Sequence, residues 1–255
     1  MTFYFFKFGY IGSDFTGYQR GNGRNSVEDN IDKILAKNGI DSKISSAART
    51  DRGVSALGNV FMLETSRKPT DIAGILNSST YSIFIRGYAQ LNGTGMNPRH
   101  CTLKMYRYFI FNEKLNCKDV IDIAKLFIGT HDFSHFSKKD SRNPVRTIDR
   151  IECGEYGNAL YLDFFGKSFV WNQIRSIVGY VIKNINAHDT RDPFSLEARY
   201  PYISDATGLI LMDIFYEGIT FIPIQRKNKK LEKILEENLI KSYIISNVTD
   251  GSIGS

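Results

Sequence analysis

The sequence predicts an α+β protein made of two units of similar plan that share one antiparallel sheet. Three observations carry that prediction. Residues 2–10, TFYFFKFGY, are aromatic-rich and too short for a helix, which reads as a strand covered on both faces. Residues 168–187 place Val170, Ile174, Ile177, Val178, Val181, Ile182 and Ile185 at helical spacing. Strand, helix and further strands then recur in the same order in each half.

In the first half, Gly9, Gly12, Gly17, Gly21 and Gly23 punctuate a long loop after the opening strand. Ser26 is an N-cap, with Asp29 three residues on. Val27, Ile31, Ile34 and Leu35 continue a helix that Gly39 stops. Residues 43–47 and 59–65 are strands around the turn-like ARTDRGVSALG, and 71–77 form a short helix. Gly93, Gly95 and Pro98 mark a boundary, giving units of 1–100 and 101–222. In the second unit, 104–112 is a strand. Asn116 caps a helix carrying Val120, Ile123, Ala124 and Phe127, ended by Gly129. Residues 146–153 and 159–166 form a hairpin across Glu155-Tyr156-Gly157-Asn158. The 168–187 helix and a strand at 208–216 complete it. Residues 223–255 are an extension: 226–241 are charged and amphipathic, and 246–255 read as a flexible tail.

The chain has 255 residues, 42% apolar and 24% charged, which excludes wholesale disorder and fibrous repeats. Lys plus Arg number 33 against 27 acidic residues, a net charge of +6. That surplus fits a polyanionic partner, although solubility alone also explains it. Cys101, Cys117 and Cys153 are few and far apart, with no CxxC, so reduced thiols are expected and a disulfide framework or cysteine-bound zinc is not. The N-terminus has no basic region or cleavage site, and no apolar run approaches the ~18 residues of a membrane span. A soluble cytoplasmic protein is expected.

Four segments bear on chemistry. In Ala48-Arg49-Thr50-Asp51-Arg52-Gly53-Val54, an Asp before Arg-Gly is equally a turn residue. The functional alternative is a carboxylate between two guanidinium groups, kept ionised as nucleophile or base. In Tyr106-Arg107-Tyr108, strand alternation puts both tyrosines on one face, as core aromatics or as a surface on which a base stacks. Arg175 borders the apolar stripe of the long helix, near Trp171, Val178 and Ile182. It is either a snorkelling side chain or an arginine reaching a carboxylate in a cleft. His131 and His135 lie four apart but lack a third ligand, which argues against a metal. The basic stretch from Lys138 to Arg146 is a solvated surface or a phosphate contact. No phosphate loop or GxGxxG is present, which argues against a nucleotide cofactor.

Taken in order, YIGSDFTGYQRGN, AARTDRGVSALGNVF, MNPRHCTLKMYRYFIFN, IGTHDFSHFSKKD, FVWNQIRSIVG and GLILMDI resemble the tRNA pseudouridine synthase A family over roughly residues 3–216. A lone RTD is weak. RTDRGVSALGNV followed by YRY and a Q-x-R-S-I-V-G helix is specific. The resemblance implies two ferredoxin-like halves with a continuous antiparallel sheet, flanked by helices, and a catalytic cleft between them. It makes Asp51 the catalytic aspartate and Arg49 a residue that helps flip or hold the uridine. Tyr106 would stack on the target uracil, Arg175 would pair with Asp51, and Leu209 would line the base pocket. It further implies a homodimer, no metal, no organic cofactor, and tRNA as substrate at uridines 38–40 of the anticodon stem-loop. RTDRGVSA, Gly-Tyr-Gln and Met96-Asn97-Pro98-Arg99 depart from the family's common pattern, and RTDRGVSA looks more like archaeal and eukaryotic relatives, which bears on the target positions.

Pseudouridine formation cuts the N1–C1′ bond, rotates the uracil and rejoins it through C5. A paired uridine must first be flipped into a pocket, at a cost of a few kcal/mol that arginine and stacking contacts offset. Addition of Asp51 at C1′ or C6 and proton abstraction at C2′ all need an ionised carboxylate. Tyr106 is a candidate relay for the departing C5 proton. The alternative reading is a non-catalytic RNA-binding module with an RRM-like aromatic sheet, which leaves the ARTDRG loop unexplained. A zinc deaminase is excluded by the missing H-x-E and P-C-x-x-C.

Overall fold

The aromatic N-terminal run forms β1 (Thr2–Tyr10) in the interior of a sheet, with Phe5, Phe6, Phe8 and Tyr10 buried. The structure is a computed structural model that describes the chain except residues 22, 24, 42, 94–95, 113, 139–142, 186–191, 225–232, 234 and 243–255. The first unit continues with α1 (Val27–Lys37), β2 (Ser45–Ser46), β3 (Ser55–Thr65), α2 (Pro69–Ser79) and β4 (Ile83–Gln90). Ser26 and Asp29 close a reciprocal capping box on α1, and Gly39 turns the chain at φ 71°. The second unit comprises β5 (Leu103–Ile110), α3 (Cys117–Ala124), β6 (Gly129–Asp132), β7 (Val145–Ile148), β8 (Arg150–Tyr156), β9 (Ala159–Gly166), α4 (Gln173–Asn184) and β10 (Leu209–Phe215). β11 (Ile222–Pro223) then pairs with the edge of β4.

Among the described residues the strands form one mixed sheet in the order β11-β4-β1-β3-β10-β5-β9-β8, with β2 pairing β3 and with β6 and β7 as a separate ribbon. α1 packs on α2 and α3 on α4, each pair serving its own half of the sheet. The expected α+β class and shared sheet hold, but the sheet is not antiparallel throughout. β3 and β10 run parallel, pairing Ser55 with Ile210 and Ala56 with Leu211. They come from different units with no hairpin between them, so nothing forces them antiparallel. Gly58 makes this seam possible: a Cβ there would lie 2.5 Å from the Met212 carbonyl oxygen. β10 carries its register shift between Leu211 and Asp213, at the same level.

Other differences have local causes. β3 begins at Ser55, inside the segment read as a turn, because Ser55 and Ala56 pair with β10. β4 was not expected; its alternation of buried Ile83, Ile85 and Ala89 is interrupted by Gly87, which weakens the pattern. The 146–153 strand is two strands in different sheets, since β7 pairs with β6 and β8 with β9. α4 starts at Gln173 instead of 168 because Asn172 adopts φ 66°, which no helix accommodates. Gly95, the end of that helix at 187, half of the charged stretch 226–241 (226–232 and 234) and the tail 246–255 lie outside the described residues; residues 235–242 are helical and exposed. No helix among the described residues is long and apolar enough to cross a membrane.

The expectation of reduced thiols is overturned for two of the three cysteines. Cys117 and Cys153 form a disulfide with Cα atoms 5.7 Å apart, tying the start of α3 to β8, while Cys101 is free and buried. A separation of 36 residues carries no signal in the sequence. Cross-linking a loop of that length stabilises by about 4 kcal/mol on the chain-entropy account. The double variant C117S/C153S should therefore melt about 10 °C lower than the oxidised parent by calorimetry, and reduction of the parent should close the gap.

Candidate functional site

The ARTDRG loop is fixed from several sides before it presents a side chain. Asn59 donates to the Ala48 carbonyl at 3.0 Å, and the Lys104 ammonium donates to that of Ala47 at 3.1 Å. The Tyr10 and Thr50 hydroxyls lie 2.8 Å apart, and the Tyr18 backbone N–H donates to the Thr50 carbonyl. Tyr18 itself heads a buried chain: its hydroxyl donates to Ser46, and Ser46 donates to Glu28 at 3.1 Å. Glu28 also accepts the backbone N–H of Arg20. The loop closes through a Val54 N–H to Asp51 carbonyl bond, with Gly53 at φ 87°. An L side chain rarely adopts that angle, so glycine is needed. Asp51 is thus a turn residue and also the carboxylate of a site.

Asp51 faces a cleft of about 940 Å³ between the two units. All five residues singled out in the sequence line it: Arg49, Asp51, Tyr106, Arg175 and Leu209. The Arg175 guanidinium stands 3.6 Å from the Asp51 carboxylate, an ion pair looser than a hydrogen bond. It is held there by the Ser204 carbonyl at 2.8 Å and by Asn172 Oδ1 at 3.3 Å. The left-handed Asn172 therefore does more than start α4; its side chain orients the arginine. Of the two readings of Arg175, an arginine reaching a carboxylate is the one the structure takes.

The electrostatics oppose one another. Burial pushes the Asp51 carboxyl above the usual carboxylate range. The Arg175 charge is the main influence in the other direction, joined by the Trp171 indole N–H and by Lys138. Arg52, Arg99 and Lys138 also line the cleft, so five cations surround one carboxylate. Arg49, Arg52 and Arg99 are exposed.

The cleft wall is apolar where β5 and β10 supply it. Tyr106, Tyr108 and Ile110 are buried on one face of β5, as the alternation predicts. Tyr106 meets the ring of Phe169 edge-on at 5.3 Å. Burial holds its hydroxyl far above the usual tyrosine range, and the Tyr10 and Asp51 charges add to that. Leu209 sits opposite Tyr108 across the β5–β10 pairing. Arg107 turns to the other face, where it binds Asp163 in two-point fashion. His131 stacks on Phe194 at 4.1 Å and is placed on β6, while His135 is in a short turn, so the pair does not share a helix face.

The sequence reading did not assign Trp171, Lys138 and Lys104 to this site. Trp171 was noted only as a neighbour of Arg175, four residues before it, and that spacing was the available signal.

The model of the tRNA pseudouridine synthase family matches residues 123–217. tRNA pseudouridine synthase A of Thermoplasma acidophilum is 49% identical over 96% of this chain and 96% of its own. The chain belongs to the tRNA pseudouridine synthase A family. That of Thermoplasma volcanium is 46% identical over 96% of this chain and 98% of its own, and that of Pyrococcus horikoshii 34% over 95% and 97%. Members of this family isomerise uridine to pseudouridine. The cleft has to tolerate the Asp51 carboxylate in its ionised form, which burial opposes.

That tolerance has a cost in stability. A carboxyl whose pKa is raised by folding contributes stability at low pH, when protonated, and loses it as pH rises through the folded value. Asp51→Asn, which keeps the shape and removes the charge, should therefore melt higher than the parent at pH 7. The gap should close below the pH at which an ordinary aspartate protonates. Melting curves from pH 3 to pH 8 check both the sign and the window.

Proposed function

We propose that this chain converts uridine to pseudouridine in tRNA, at positions 38–40 of the anticodon stem-loop, with Asp51 as nucleophile on a base flipped into the cleft. One observation carries the reading most strongly: the only carboxylate lining the cleft, among the described residues, is ion-paired to Arg175 of the opposite unit and is flanked by apolar Tyr106 and Leu209. Arg175 keeps Asp51 ionised despite burial, which a nucleophile requires. Tyr106 and Leu209 supply the wall against which a detached uracil is retained. Arg49, exposed at the mouth, suits holding the flipped nucleotide through phosphate or ribose. Tyr106 enters the reaction protonated, since its hydroxyl is held above the usual range. A phenolate base is not at hand, so the C5 proton leaves through a neutral hydroxyl relay or through Asp51 itself.

The test uses unmodified transcribed tRNA, without added metal or nucleotide, and carbodiimide-dependent primer-extension stops to map pseudouridine. Wild-type protein should give stops in the anticodon stem-loop. Asp51→Ala should give none, while binding tRNA within about threefold of wild type. Loss of binding that matches the loss of rate contradicts the assigned role. Stops outside the anticodon stem-loop would correct the target and keep the reaction. Arg175→Ala should cut turnover by at least tenfold, because the buried carboxylate loses its partner; wild-type rate and melting temperature would refute the pairing.

A further inference from the structure

Trp171 is the single tryptophan of the chain. It stands in the turn before α4, lines the cleft and is 40% exposed. The Lys138 ammonium lies 3.9 Å from the centre of its ring. The Lys138 backbone N–H donates to the Trp171 carbonyl at 2.9 Å, so the two residues travel together.

A tryptophan kept for packing would be buried, and this one is not. What is left over is an aromatic surface open to the cleft, beside the reacting carboxylate, with a cation close by. That combination matches a single nucleotide: a base stacks on the ring, and a phosphate meets the ammonium. It is also sequence-tolerant, because every base has a π-face.

We propose that Trp171 and Lys138 form a nucleotide subsite next to the reacting one, in which the indole ring stacks on a neighbouring base of the RNA and the Lys138 ammonium turns to its phosphate. The proposal rests on the RNA-modifying reading above.

With one tryptophan the test is direct. Intrinsic fluorescence of the full-length protein is titrated with unmodified tRNA. Emission should fall and saturate at the midpoint found by filter binding. Trp171→Phe keeps a ring, and its tRNA affinity should stay within about twofold of wild type. Trp171→Ala removes the ring and should bind tRNA about tenfold more weakly or worse. Unchanged emission at saturating tRNA overturns the stacking, and this readout stands even where an alanine variant fails to fold. Failure of the broader reading looks different, because wild-type protein would then form no pseudouridine in tRNA.

Discussion

The site depends on the parallel seam between β3 and β10. Asp51 lies four residues before Ser55, where β3 starts, and Leu209 opens β10. Pairing Ser55 with Ile210 therefore brings the carboxylate of one unit and the apolar wall of the other to the same end of the same seam. The β5–β10 register then sets Tyr108 opposite Leu209 and Tyr106 opposite Leu211, which carries the tyrosine strand to the same place. Gly58 allows the two backbones to meet, and the Lys7–Asp213 ion pair, between β1 and β10, clamps the seam one strand further on. The cleft is lined by residues from both sides of that seam.

The acid in that cleft is held by a balance. Burial works toward neutralising it, since an isolated buried carboxylate favours its protonated form. Arg175 from the other unit opposes that tendency, and it does so from a fixed position, because two internal acceptors leave it little freedom. The loop is equally constrained from behind by Asn59, Lys104, Tyr10 and Tyr18. A flexible loop could lower the cost of burying a charge by moving it into water. This loop is tied on several sides, so the cost stays on Asp51, the group that the proposed function makes reactive.

Much of this was readable in the residues, for identifiable reasons. The helices of periodic sequence, with Ser26 and Asn116 as caps, formed where their apolar spacing placed them, because burying one stripe against a sheet leaves few alternatives. The five site residues converge on one cleft, and the motif that named them did so through order along the chain, which fixes order in the sheet. What was not legible is what depends on partners distant in sequence. The β3–β10 direction, the Cys117–Cys153 bond and the early start of β3 are all set by residues 36 or more positions away. β4 shows the opposite failure: its alternation was present, but one glycine in eight residues was enough to hide it. The turn at Asn172 was illegible for a third reason, since a left-handed asparagine looks like any helix residue until its side chain is seen on Arg175.

The distribution of cations around Asp51 also separates two jobs that composition merges into a single +6. Arg49, Arg52 and Arg99 are exposed at the cleft, where screening is strong and a phosphate can take them at little cost. Arg175 is largely buried, tied to Ser204 and Asn172, and is the only one within ion-pair distance of the acid. An incoming polyanion would compete for every cation it can reach. If Arg175 were as mobile as the others, RNA would strip Asp51 of its partner at the moment the carboxylate must be ionised. Tethering it to uncharged acceptors removes it from that competition, so that, under the proposed function, substrate binding and activation of the acid draw on different arginines.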